Sequence, residues 1–448
     1  MFTLANIDLQ VRLIFAIFAA DFVNKNGCNM KILFVIDTFY TSNNGTSISA
    51  QRYAAELRRR GHKVRILCGD KPHNEQESRL SDGDYCTGIF HFPVFQFMCE
   101  KHDFFYANAD KALIRRACNW ADIVHVYTPF FMSNAAITYC QQISKPLTAA
   151  FHIQPENITS SFGLGKVRFI NNFIYRIFRR VTYNRVRHVH TPSAFIAGEL
   201  QQRGYTAQMH VISNGIHDEF ITAGKQKYAT PQNDKMVNDK MVNILMIGRL
   251  SKEKRQDVII RAMQYSRYAD RIQLIFAGRG PEYRRYLRMS RHLKHQPLFV
   301  YLQRDQLIRR LLSTDLYVHA SDMESEAISC IEAFATGLVP VIADSSDSAT
   351  PQFALDRRSL FKAGDPKDLA RAIDYWLDHP EQRLAMQRRY AASARKYSLK
   401  HCVTLFEHML EQEIIDNAHI HPDEQTTDHI SLLTAIKRSA IRLYRRIA

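Results

Sequence analysis

The sequence contains no C-x-x-C pair. Its eight cysteines (Cys28, Cys68, Cys86, Cys99, Cys118, Cys140, Cys330 and Cys402) are scattered over 448 residues. That spacing excludes the usual zinc ribbons and points to free thiols in a reducing cytosol. Neither G-x-G-x-x-G nor G-x-x-x-x-G-K-[ST] occurs, so neither a dinucleotide fingerprint nor a P-loop is supported. No apolar run near the start reaches bilayer length: Val11 to Ala20 is ten residues long with Arg12 inside it, where a span needs roughly 20. The first ten residues carry no basic side chain, against a secretory signal. Acids are scarce relative to bases, 44 against 60, for a net charge of +16. Such a surplus implies a polyanionic partner: nucleic acid, a phosphorylated substrate or an anionic membrane. Apolar residues, at 46% with 11% aromatic, exclude a mainly disordered chain, and the length makes two domains the default.

Residues 1–29 are expected to be a leader, ill-ordered or upstream of the native start, with a short interfacial helix as the alternative. From Lys31 the chain reads as an α/β protein. Lys31 to Asp37 (KILFVID) is a continuous apolar run ending in polar residues, the pattern of a strand buried on both faces. A polar loop with Gly45 follows, then a helix carrying Ala50, Tyr53, Ala54 and Leu57 on one face, which Gly61 is placed to cap. Val64 to Cys68, Ala121 to Tyr127 and Pro146 to Phe151 are further strands, separated by helix-length stretches. The same alternation restarts after the polar, lysine-rich residues 222–241, read as a linker or surface loop. Val242 to Ile247, Ile272 to Ala277, Leu316 to His319 and Val339 to Ala343 are strands there, and Arg255 to Tyr265 is a helix. Two α/β halves with parallel sheets are expected, 30–225 and 242–412, followed by a basic amphipathic tail, 413–448. A ligand would sit beyond the carboxyl ends of the strands, in the cleft between the halves.

Four features fall at such strand ends. Gly45 opens a helix after the first strand, where a bare backbone N–H can approach an anion; an ordinary turn is the commoner explanation of such a glycine. Arg249 and Lys254 flank the loop after the first strand of the second half and could grip a diphosphate through charge-assisted hydrogen bonds; a solvated basic turn is the alternative. Glu324 and Glu332 stand eight residues apart, one at a helix entrance and one on the helix itself. Carboxylates so placed can accept hydrogen bonds from a polyhydroxy ligand. Helix capping accounts for Glu324 or Glu326 but not for Glu332 on an apolar face. His152 ends a strand, where a ligand-orienting role competes with that of a buried core histidine.

With these residues in view, the chain from about Met30 to Gln412 resembles the retaining glycosyltransferases of family 4, which have the GT-B fold of two facing Rossmann-like domains. Glu324-Ser-Glu-Ala-Ile-Ser-Cys-Ile-Glu332, with Gly337 and Pro340 trailing, is similar to the family's E-x7-E motif. Gly248-Arg249-Leu250 with Lys254 is similar to its donor-diphosphate motif; Asn214-Gly215 and Gly278-Arg-Gly280-Pro281 match segments of mostly structural use. The resemblance implies that Arg249 and Lys254 neutralise a nucleotide-sugar diphosphate, that Glu324 holds sugar hydroxyls and that Glu332 holds the ribose. It also implies that Gly45 faces the phosphates and that His152 lines the reacting centre. Neither metal nor cofactor is implied, the nucleotide-sugar being a co-substrate. Ser325, Asn44 and Gln303 depart from the family's usual glycines. Asp82-Gly83-Asp84 has the form of a DxD but is read as a turn.

Between Glu156 and Glu199 there is no acid. Lys166, Arg168, Arg176, Arg179 and Arg180 interleave there with Val167, Ile170, Ile174, Ile177 and Val181 at helical spacing, beside Phe169, Phe173 and Phe178. That is a basic amphipathic helix able to lie in an anionic interface. Residues 431–448 repeat the theme with Lys437, Arg438 and Arg442. Together with a resemblance of Gln154 to Asn157 to bacterial diacylglycerol glucosyltransferases, this leads to a peripheral enzyme at the cytoplasmic face of the plasma membrane. It would move a hexose, glucose from UDP-glucose first, onto a lipid such as diacylglycerol. A transferase of cell-surface polysaccharide or of a lipid-linked intermediate is the alternative within enzymes. A nucleic-acid-binding protein rests on charge alone, and the apolar stripe among the cations argues against it.

Overall fold

In the computed structural model the described residues are 29–41, 45–71, 83–90, 105–160, 165, 167–229 and 241–421. The expectations for residues 1–28, for Lys166 and for the tail with Lys437, Arg438 and Arg442 lie outside them.

The apolar run after Met30 becomes β1 (Lys31–Val35), with Ile32 to Val35 wholly buried. Burying such side chains is worth about 1.5–3 kcal/mol each, which puts this strand in a sheet interior. It pairs in parallel with β2 (Lys63–Cys68) on one side. β3 (Tyr85–Cys86) lies beyond β2, and β4 (Ile89–Phe90) pairs with β5 (Tyr106–Ala107) in a separate antiparallel ribbon. On its other side β1 pairs with β6 (Ile123–Val126), followed outward by β7 (Leu147–Ala150), β8 (His188–Thr191) and β9 (Gln208–Val211). The resulting seven-stranded order, β3-β2-β1-β6-β7-β8-β9, reverses direction between β1 and β6. The helix Gly45–Arg59 connects β1 to β2 and ends where Gly61, at φ +98°, takes the left-handed conformation that closes a helix.

The second sheet repeats the plan. Its strands are β10 (Val242–Ile247), β11 (Ile272–Ala277), β12 (Leu298–Val300), β13 (Leu316–His319), β14 (Pro340–Asp344) and β15 (Leu360–Lys362). They stand in the order β12-β11-β10-β13-β14-β15, with each neighbouring pair parallel, so the order reverses between β10 and β13. A ligand site is expected outside the carboxyl ends at such a reversal.

The chain divides into two compact units: Met1–Pro192, Ala197–Ile212 and Val403–Ala448 form one, Ser193–Ile196 and Ser213–Cys402 the other. This division differs from the boundaries expected at 225, 242 and 412. Residues 222–229 are not a linker but the end of the helix Asp218–Ala229. Phe220 and Ile221 are buried there, and Gly224 packs so closely that a Cβ would stand 2.0 Å from the Ala335 carbonyl oxygen. Residues 413–420 likewise belong to the long helix Leu399–Ile420 rather than to a tail. From Val403 onward that helix is part of the first unit. Its Phe406 ring meets those of Tyr53 at 5.1 Å and His125 at 4.8 Å. Glu407 accepts from Arg60, His62 pairs with it at 3.0 Å, and Glu413 takes Arg187 at 2.6 Å.

Candidate functional site

The site is built on two adjacent strand ends of the second unit. After β10 the chain turns through Gly248, Arg249 and Leu250, and this turn lies directly on the loop after β11. Gly248 N–H donates to Ala277 and Leu250 N–H to Arg279, both at 3.0 Å. The contact is backbone on backbone: a Cβ at Gly278 would stand 2.0 Å from the Gly248 carbonyl oxygen, and one at Gly280 would stand 2.3 Å from that of Leu250. These glycines therefore set the height of the turn that carries Arg249, whose side chain is exposed. A 3-10 turn, Lys252–Lys254, follows. Arg255, expected to begin the next helix, is left-handed at φ +55° and stands just before the helix Gln256–Ala262. Its guanidinium reaches Asp322 at 2.8 Å and ties this loop to the one after β13.

That second loop carries Glu324. It is fixed at several points: Asp322 N–H donates to Glu253 (2.9 Å), Ser345 Oγ to the Asp322 carbonyl (2.6 Å) and Ala349 N–H to the Glu324 carbonyl (2.8 Å). The Glu324 carboxylate receives Lys254 Nζ and, at 3.0 Å, His319 Nε2. Burial would push this carboxyl up, but the Lys254 charge and the His319 hydrogen bond outweigh it and hold it well below the usual carboxylate range. Glu326, with capping as its simplest sequence explanation, is instead a buried anchor that accepts the amide and side-chain nitrogens of Asn214 (3.0 and 2.6 Å). Ala327 enters the helix Ile328–Ala335 in the left-handed region, φ +69°. Glu332, in the second turn of that helix, is 7% exposed.

The structure thus brings Lys254 and Glu324 into contact and puts Arg249 and Glu332 on the elements next to them. Sequence reasoning missed His319. A histidine closing an apolar strand reads as core, and the available signal was its two-residue spacing from Tyr317, which puts both side chains on one sheet face.

Gly45 and His152 belong to the first unit. Gly45 is exposed at the first position of its helix, and a Cβ there would meet nothing within 4 Å. His152 lies two residues past β7, buried, with its ring stacked on Tyr127 at 5.6 Å and edge-on to His190 at 5.0 Å. Its Nε2 has no hydrogen-bond partner among the described residues. Burial, then the neighbouring His190, holds its pKa far below that of a free imidazole, so the ring is neutral. Nearby, Asp37 at the end of β1 accepts from Thr128 and from the Ala107 amide at 2.8 Å; burial still raises its carboxyl to about 6. Asp84, from the DxD-like turn, is likewise structural, accepting from Tyr40 and from the Ile66 amide.

The helix Arg168–Val181 turns Asn171, Tyr175 and Phe178 inward. Phe178 is thus core rather than part of an outer stripe. Phe169, Phe173 and Ile177, four residues apart, are 75%, 57% and 39% exposed. Arg168, Arg176 and Arg180 are exposed on the same helix, and a shallow open groove is lined by Phe169, Ile170, Asn172, Phe173 and Arg176. Arg179 is engaged otherwise, donating to the Arg203 carbonyl at 2.6 Å. No helix among the described residues is long and apolar enough to cross a membrane.

Comparison with known proteins adds to this geometry. Residues 43–220 match the family described as Glycosyltransferase Family 4, and residues 217–396 match Glycosyl transferases group 1. A GDP-mannose-dependent alpha-mannosyltransferase of Mycobacterium tuberculosis is 22% identical over 83% of this chain and 94% of its own length. The Anabaena HepE protein, solved in complex with UDP, is 15% identical with a TM-score of 0.64, over 86% of this chain and all of that one. The catalytic domain of the Helicobacter pylori cholesterol-alpha-glucosyltransferase is 44% identical over 35% of this chain and 99% of that chain, with a TM-score of 0.34.

Proposed function

The chain belongs to glycosyltransferase family 4 and has the GT-B architecture, and on that premise we propose that it moves glucose from UDP-glucose onto a membrane lipid such as diacylglycerol, with retention at the anomeric carbon. Arg249 and Lys254 neutralise the diphosphate, Glu324 accepts from sugar hydroxyls and Glu332 from the ribose, while Gly45 faces the phosphates and His152 lines the reacting centre. The bond from the anomeric carbon to the leaving phosphate breaks as the acceptor oxygen bonds on the same face, and the acceptor's proton passes to the leaving phosphate. Such a displacement calls for positioned charge rather than a protein nucleophile. Two cations over one strand-to-helix turn suit a pyrophosphate, and an ionised glutamate is an acceptor-only group suited to hydroxyl donors.

A lipid acceptor and an anionic membrane surface, reached from the cytoplasmic side, are supported by one observation above the rest. Phe169, Phe173 and Ile177 form an exposed apolar ridge on a helix whose outward cations are Arg168, Arg176 and Arg180. Apolar groups entering the headgroup boundary beside cations facing anionic lipid give favourable terms of both kinds, roughly 1 kcal/mol per cation near the surface. A mannosyl donor is the second reading, favoured by the relatives named as GDP-mannose-dependent.

The test is to incubate the purified chain with labelled UDP-glucose, UDP-galactose, UDP-N-acetylglucosamine or GDP-mannose and a total lipid extract. Label from UDP-glucose migrating with lipid supports the reading. Transfer from GDP-mannose alone replaces the donor, transfer only to polysaccharide replaces the acceptor, and salt-sensitive binding to duplex DNA without transfer overturns it.

A further inference from the structure

Lys254 and His319 both donate to the same oxygen of Glu324, Oε1, and no protein donor engages Oε2 among the described residues. Behind His319 the hydrogen bonds continue: its Nδ1 lies 3.1 Å from the Tyr317 hydroxyl, which lies 3.3 Å from Ser329 Oγ. His319 and Tyr317 are buried, at 1% and 0% exposure, so their polar atoms must find partners within the protein. An ionised carboxylate only accepts, so His319 Nε2 carries a hydrogen directed at Glu324. On the far side of the ring, Tyr317 pairs with Nδ1 and so holds the imidazole in the orientation that aims Nε2 at the carboxylate.

The two donors to Oε1 differ in freedom. Lys254 is a flexible cation, 22% exposed on a turn beside Arg249, and a pyrophosphate at that turn competes directly for it. His319 sits on a strand within the core and cannot follow. We propose that His319, backed by Tyr317, is the positioning residue that keeps Glu324 Oε2 aimed at a hydroxyl of the donor sugar while Lys254 turns to the diphosphate. This rests on the reading of Glu324 as the sugar-binding carboxylate. It makes the Lys254–Glu324 contact the one that yields to the diphosphate and the His319 bond the permanent one.

The proposal separates sugar recognition from nucleotide recognition, which a merely structural histidine would not do. His319→Leu removes the donor at similar volume, whereas His319→Gln keeps an N–H within reach of Oε1. Affinities for UDP and for UDP-glucose are measured by calorimetry, or for GDP and GDP-mannose if that donor is turned over, together with kcat/KM. For His319→Leu we expect nucleotide-sugar affinity and kcat/KM to fall about tenfold or more, the usual consequence of losing a hydrogen bond to a charged group. Free UDP should bind within about twofold of the parent. Most of the loss should return in His319→Gln, and His319→Leu/Glu324→Gln should be no worse than Glu324→Gln alone. Equal weakening of UDP and UDP-glucose, additive losses in the double variant, or no change in His319→Leu while Glu324→Gln is impaired would each overturn the role given to His319. If Glu324→Gln itself leaves both ligands unaffected, the sugar-site assignment falls instead. Tyr317→Phe, which leaves the imidazole in place but removes the partner of its Nδ1, should show the same selective loss in smaller measure, and so covers the case in which His319→Leu does not fold.

Discussion

Breaking the Lys254–Glu324 contact one partner at a time should destabilise the second unit, whereas removing both partners should cost little more than removing either. The expected size follows from burial. An exposed ion pair is worth about 0.2–1 kcal/mol, and stripping one partner from a fully buried pair costs about 3–5 kcal/mol. Here the side chains are 22% and 12% exposed, so Lys254→Met should cost about 2 kcal/mol, chiefly the penalty of a half-sheltered carboxylate left with His319 alone. Glu324→Gln should cost a similar amount by leaving the lysine uncompensated, and the double variant no more than either, a coupling of about 2 kcal/mol. The assay is available because the chain has two tryptophans: Trp376, wholly buried, lies in the second unit, and Trp120, half-buried, in the first. In a Trp120→Phe background, urea unfolding followed by fluorescence reports the second unit alone. Single-variant losses that add to within about 0.3 kcal/mol in the double variant would refute the argument, since they would mean the contact carries no energy of its own.

Gly278→Ala should lower stability by about 1–3 kcal/mol or more and weaken nucleotide binding, because its Cβ would meet the Gly248 backbone. Gly198→Ala, mid-helix with open space around it, should raise stability by about 1 kcal/mol; opposite signs in the two melts are the check. Acid should unfold the first unit at higher pH than the second. His190 and His210 are held down to about 4, chiefly by burial, so the stability each gives is present above the ordinary imidazole value and lost as pH falls through it. That is roughly 3 kcal/mol apiece, against one opposing increment of similar size from Asp37, which is raised and so favours the acid side. Glu324, held low, gives the second unit stability that is lost only as pH falls below about 4.5; simultaneous loss of Trp120 and Trp376 signals would contradict this. Phe169→Ser/Phe173→Ser should leave unfolding unchanged, since both side chains are exposed, yet sharply reduce binding to anionic vesicles. Unaltered vesicle binding would remove the support that the ridge gives to a lipid acceptor.

Much of the fold was legible because buried parallel strands announce themselves: KILFVID and VNILMI are continuous apolar runs, and both are interior strands. The strands that escaped notice are short, polar or at edges. β8 reads HVHT, its histidines sheltered by Phe406, Glu413 and Asp416 of the Leu399–Ile420 helix rather than by their own chemistry, and β12 is three residues long at a sheet edge. The helix Asp218–Ala229 was hidden by its lysines and glycine, because what makes it helical is its seat against the end of the Ile328–Ala335 helix. At the site, Lys254 and Glu324 were legible as charged residues at strand ends. His319 was not, since its role depends on a loop returning a carboxylate to within 3.0 Å of a side chain that otherwise belongs to the core.

The helix Leu399–Ile420 begins in one unit and finishes in the other. A fragment ending near residue 212, made to isolate the first half, would therefore have a hole where Phe406 belongs, beneath Tyr53 and His125, and three acid-seeking side chains, His62, Arg187 and His188, without their counterparts. The practical corollary is that the halves must be dissected by carrying residues 403–420 along, supplied in trans or by circular permutation, and that a protease nick near Ser398 should cost the amino-terminal half its integrity only if the severed helix drifts away.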